Sequence, residues 1–147
     1  MTSVAKQLLQ NRKHQLIFIS HAGIDTWVAA RIEEKIQQCG VETFLDEAHI
    51  SIGEDFEEKI LRALDEADEL LLLLTPWSLN RPYVWAEFGA AWKRRIPIIG
   101  VMYGIKPEDP NIPVLMKRRD MIDINELDRY FDQLKRRIRP SRKGIRK

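Results

Sequence analysis

The chain has 147 residues, 44% of them hydrophobic, with 24 Lys/Arg, 22 Asp/Glu and one Cys. That length supports one domain burying roughly two-thirds of the surface its unfolded chain would expose. One cysteine excludes a disulfide scaffold or a Cys-rich zinc module, and no apolar run approaches the roughly 18 residues of a membrane span. The single cysteine suits a reducing cytoplasm, the expected location, and the first residues, MTSVAKQLLQNRKHQ, lack the apolar stretch of a secretory signal. The net charge of +2 is an average over unlike parts. Eight Lys/Arg and no acid lie from Lys135 onward, leaving 16 bases against 22 acids before it. The body is acidic and the tail is basic.

Strand-length apolar runs alternate with stretches of helical period. Leu16 to Ile19 reads as a first strand ending at Ser20-His21. A helix is expected from about Ile24, with Val28, Ile32, Ile36 and Cys39 on one face and Gly40 stopping it. Val41 to Leu45 reads as a second strand ending at Asp46. After a loop through Gly53, a second helix aligns Phe56, Ile60, Leu64 and Ala67. The run Leu70 to Leu74 fits a strand buried on both faces, ended by Thr75-Pro76. A third helix over Tyr83 to Lys93 puts Trp85, Phe88 and Trp92 on its apolar side. Ile98 to Tyr103 and Met121 to Ile124 are further strands, and Glu126 to Ile138 is a last helix. Lys106 to Pro113 reads as a proline-rich surface loop. The alternation predicts a three-layer α/β domain with a parallel sheet, flanked by an extension (1–13) and a basic tail (140–147).

In such sheets ligands sit beyond the carboxyl ends of the strands, near a switch in strand order. That rule selects Ser20-His21, Asp46, Thr75-Pro76-Trp77 and Tyr103-Gly104. No GxGxxG follows the first strand and no GxxxxGK[ST] occurs, which argues against a Rossmann dinucleotide site and a P-loop. The acidic pair and strand-three Asp of a phosphoryl-accepting receiver are replaced by Ser20-His21 and Thr75-Pro76. His14, His21 and His49 fall in no HExxH or HxH spacing, so no metal is expected, and Asp46, Glu47 and His49 fit a solvated loop better than an ion site. Cys39, on an apolar helix face, reads as a core residue. Glu87 stands out because Phe88, Gly89, Ala90 and Ala91 follow it, with Tyr83 one turn before. A pocket floor and a surface acid pairing with Arg94 or another nearby cation are both compatible with that spacing.

Four segments in order, FISHAGID (18–25), VETFLDEAHISIGEDF (41–56), LLLLTPWSL (71–79) and YVWAEFGAAW (83–92), resemble a TIR (Toll/interleukin-1 receptor) domain, the bacterial stand-alone kind in particular. The resemblance covers about residues 14 to 138 and places the domain at 14–139. It implies a flavodoxin-like fold with a five-stranded parallel sheet. It also implies cleavage of NAD, as substrate and not cofactor, at the nicotinamide–ribose bond, giving nicotinamide and ADP-ribose or a cyclic isomer in anti-phage defence. The family's catalytic glutamate matches Glu87, with Tyr83 where many members carry Trp. Ser20, His21, Asp46, Ser51, Trp77 and Tyr83 carry over as substrate-binding positions, and Ser51 with Gly53 lies in a loop also used in self-association.

A non-catalytic TIR–TIR adaptor, with a downstream effector or activating partner, is the competing class. A nucleoside deoxyribosyltransferase-like enzyme also places a glutamate before Gly and Ala, but the FISH segment favours the TIR reading. The tail lacks aromatics beyond Phe131, so nucleic acid is not expected as a partner.

Overall fold

The computed structural model describes residues 15–45 and 56–138. Its sheet has five strands, all parallel, in the order β2-β1-β3-β4-β5. These are β1 (Leu16–Ser20), β2 (Glu42–Leu45), β3 (Glu69–Leu74), β4 (Ile98–Met102) and β5 (Asp120–Asp123). The helices are α1 (Thr26–Gln38), α2 (Phe56–Glu66), α3 (Pro82–Arg94), the single turn α4 (Val114–Lys117) and α5 (Leu127–Ile138). The strand order reverses between β1 and β3, since the chain runs from β1 to β2 on one side and returns to β3 on the other.

Two apolar layers follow from the period of two along each strand. Ile17, Ile19, Leu71, Leu73 and Val101 pack on Ala29, Ile32 and Ile36 of α1 and on Leu127, Phe131 and Leu134 of α5. Phe18, Leu70, Leu72 and Leu74 pack on Ala63 and Leu64 of α2 and on Val84, Phe88 and Ala91 of α3. The leucine run is therefore buried on both faces, as a central parallel strand must be.

Several boundaries differ from expectation for local reasons. A 3-10 turn over Gly23–Asp25 precedes α1, so the α-helix begins at Thr26 and Ile24 is left exposed. Gly40 does end that region, in the left-handed conformation (φ 88°), with its N–H on the Gln37 carbonyl. Ala67 falls one residue past α2 but is fully buried. The proline-rich loop holds backbone turns from Asp109 to Lys106 and from Ile112 to Asp109, and buried Ile112 pins it. The turn α4 was too short to show a period, yet it buries Met116.

Candidate functional site

The site forms where the carboxyl ends of β1 and β3 flank the reversal of strand order. Phe18 faces the α2/α3 layer, so two residues on Ser20 faces it too. On α3 the buried stripe is Val84, Glu87, Phe88 and Ala91, at i, i+3, i+4 and i+7. Glu87 thus occupies a position where the helix period places apolar residues, and it is only 4% exposed. The Ser20 hydroxyl donates to Glu87 Oε1 at 2.5 Å. Desolvating a carboxylate is costly unless donors compensate, and this bond supplies one.

Glu87 is therefore not a surface acid paired with Arg94. The Arg94 guanidinium instead donates to the Leu64 and Ala67 carbonyls, tying α3 to the end of α2. The Tyr83 hydroxyl donates to the His21 carbonyl at 2.8 Å, a second tie between α3 and the end of β1. His21 is fully buried; its Nδ1 lies 2.7 Å from the Ala22 carbonyl, and its Nε2 has no hydrogen-bond partner among the described residues.

Beyond β3 a second network holds the neighbouring loop. Asp25 is 4% exposed, and its Oδ2 accepts from the Thr75 hydroxyl at 2.6 Å. Thr75 Oγ1 in turn accepts from the backbone N–H groups of Trp77 (3.2 Å) and Ser78 (3.1 Å). The Ser78 hydroxyl donates to the Leu73 carbonyl and accepts from the Thr75 N–H. Trp77 is left with its backbone fixed and its side chain 49% exposed.

The structure thus brings Ser20, His21, Tyr83 and Glu87 together and sets Trp77 on the adjoining loop. Asp46 and Ser51, with Glu47, His49 and Gly53, lie outside the described residues. Sequence spacing does not single out Asp25 or Ser78, and the partner of Asp25 is set by the adjacency of β1 and β3. The one signal for Asp25 in the sequence is that it is the sole acid within FISHAGID.

A cleft of about 480 Å³ opens at the opposite, amino-terminal end of the sheet, lined by Glu69, Asp120, Tyr130, Arg136 and Arg137. It is away from the strand ends where doubly wound sheets bind ligands. Its buried acid, Glu69, already accepts from the Tyr130 hydroxyl and from Arg137 Nη1. Cys39 is buried, with its thiol on the Lys35 carbonyl at 3.3 Å and its pKa raised, first by burial. Among the described residues no group of three or more His, Cys, Asp or Glu is placed to hold a metal ion, and no helix is long and apolar enough to cross a membrane.

A model of the TIR domain family matches residues 17–138, from the first strand to the end of α5. The chain belongs to the TIR domain family. This TIR domain is 28% identical, over 116 residues, to a protein of Brachypodium distachyon named probable 2' cyclic ADP-D-ribose synthase BdTIR. The match covers 78% of this chain, which spans about half (52%) of the length of that relative. Among solved structures, the TIR domain of the Toll-related receptor TRR-2 from Hydra magnipapillata superposes with a TM-score of 0.65 at 19% identity, covering 84% of this chain and 97% of that one. A metazoan TIR-STING receptor from C. gigas in complex with 2',3'-cGAMP gives the same TM-score at 20% identity, covering 87% of this chain and 40% of that one. At those identities the likeness concerns the fold, a five-stranded parallel sheet between helical layers.

Proposed function

We propose that this TIR domain cleaves NAD at its nicotinamide–ribose bond, with Glu87 as the catalytic residue and NAD as substrate, not cofactor. One observation carries the reading: a buried carboxylate, oriented by Ser20, stands at the reversal of strand order. The name of the Brachypodium relative supports the same chemistry.

In the reaction the bond between ribose C1′ and the nicotinamide nitrogen breaks. Its electron pair moves onto the cationic ring, which leaves neutral, so no general acid is needed. The positive charge left on the ribose is what must be stabilised, and a fixed carboxylate in a water-poor site does so strongly. Ser20 removes orientational freedom from that carboxylate, so little reorganisation accompanies charge development. Water then adds at C1′ and loses a proton, giving ADP-ribose; capture by the adenine of the same molecule gives a cyclic isomer instead. Tyr83, His21 and Trp77, with Asp46 and Ser51, form the substrate-binding set in this reading.

The protein acts in the bacterial cytoplasm, in anti-phage defence, and assembles with further TIR domains under the control of an activating partner or toward a downstream effector. Ile24 in the 3-10 turn and Trp27 at the start of α1, 65% and 71% exposed, support an interaction role. They keep the adaptor as a second reading.

Incubation with NAD, followed by chromatography and mass spectrometry, tests the reading. Release of nicotinamide by the native protein, reduced about a hundredfold or more in Glu87→Ala, is the expected result. Equal release by both proteins removes Glu87 from the mechanism. Release by neither, from an assembled sample, favours the adaptor.

A further inference from the structure

Asp25 sits at the N-cap of α1, where an aspartate ordinarily turns its carboxylate onto the helix's own first N–H groups. Here the side chain makes no capping bond. It reaches across to Thr75, fifty residues away in sequence, although that leaves the helix end without its usual side-chain partner. Such a departure from local preference calls for a compensating role.

The chemistry of the threonine hydroxyl shows what the bond achieves. Thr75 Oγ1 has one proton and two lone pairs. The proton goes to Asp25, and the lone pairs take the N–H groups of Trp77 and Ser78. Every bonding direction of the hydroxyl is used, and Asp25 supplies the one partner that lies outside the turn. Through it the carboxylate ties α1 to the backbone beneath the half-exposed Trp77 ring, next to the strand end that carries Ser20.

We propose that Asp25 is a positioning residue: through Thr75 it holds the Trp77 ring in the place where a flat heteroaromatic ring of the dinucleotide stacks. The inference rests on the NAD-cleaving reading. It assigns Asp25 to substrate affinity and not to the bond-breaking step, which belongs to Glu87.

Nicotinamide release is measured against NAD concentration for the native protein, Asp25→Ala, Thr75→Val, Trp77→Ala and the double variant Asp25→Ala/Trp77→Ala. Loss of a positioned stack corresponds to about a tenfold rise in KM. Asp25→Ala and Trp77→Ala should each show it, and in Asp25→Ala kcat should stay within about twofold. The double variant should be no worse than Trp77→Ala alone, because both changes remove one interaction. Thr75→Ser, which restores the hydroxyl, should recover the native KM where Thr75→Val does not. If Asp25→Ala does not fold, the Thr75 pair carries the same comparison. An unchanged KM in folded Asp25→Ala, or additive effects in the double variant, would overturn the inference while leaving the NAD-cleaving reading intact. Absence of release from the native, assembled protein would overturn both.

Discussion

Ser20 on β1 and Glu87 on α3 are 67 residues apart in the chain and meet in a 2.5 Å hydrogen bond, both buried. The strand contributes the donor because its period of two puts Ser20 on the face of Phe18. The helix contributes the acceptor because Glu87 interrupts its apolar stripe. Neither placement depends on the other, yet together they define one carboxylate at one spot.

Ser20→Ala tests that relationship. A hydrogen bond to a charged group contributes about 1.5–3 kcal/mol, which corresponds to roughly a tenfold to hundredfold loss in kcat if Ser20 orients the carboxylate. Steady-state nicotinamide release measures it, and thermal unfolding separates it from simple destabilisation. A rise in KM at constant kcat would instead make Ser20 a direct substrate contact.

At the other end of the sheet, Tyr130→Phe deprives the buried Glu69 carboxylate of a hydroxyl donor while Arg137 stays bonded to it. The expected loss is about 1–3 kcal/mol in denaturant unfolding. Nicotinamide release should not change, because Glu69 begins β3 and the candidate site lies beyond that strand's opposite end. A loss of activity in a stably folded Tyr130→Phe protein would contradict that separation.

The same tyrosine gives a pH dependence. Burial, and next the charge of Glu69, hold its phenol pKa well above the ordinary value of 10. Below about pH 10 the phenol is protonated in the folded and unfolded states alike, so its contribution to stability is constant. Above that, the unfolded chain loses the proton and the folded chain keeps it, so stability falls by up to about 1.4 kcal/mol per pH unit. Unfolding curves at alkaline pH should show this slope in the native protein and a shallower one in Tyr130→Phe.

Helix α3 is followed by Arg95, which caps it in a left-handed conformation (φ 62°) with its N–H on the Trp92 carbonyl. A side chain there crowds its own backbone, and glycine does not. Arg95→Gly should therefore stabilise the protein by about 1 kcal/mol, read as a raised Tm with activity unchanged. A lowered Tm would mean that the arginine side chain contributes more than its backbone strain costs.

The strands and long helices were legible because their signals are local. Leu70 to Leu74 announces a two-sided strand, and the Ile32–Ile36 spacing announces a helix face, without reference to distant residues. The 3-10 turn before α1 and the single turn α4 escaped because three or four residues hold no period. Glu87 was visible as an acid among small and apolar neighbours, and the TIR motifs pointed to it. Its burial and its bond to Ser20 were not visible, and Arg94, which spacing offered as its partner, binds carbonyls of α2 and its flank instead.

From sequence alone came the α/β class, the order of elements and the acid of interest, since these follow from composition and from near-neighbour spacing. Tertiary structure alone decided the pairs Ser20–Glu87, Asp25–Thr75 and Tyr130–Glu69, which span 67, 50 and 61 residues. Each depends on which strands lie side by side and on the face a side chain takes. Strand order and register are settled by packing the whole sheet between its helical layers, and no local window of the chain contains that information.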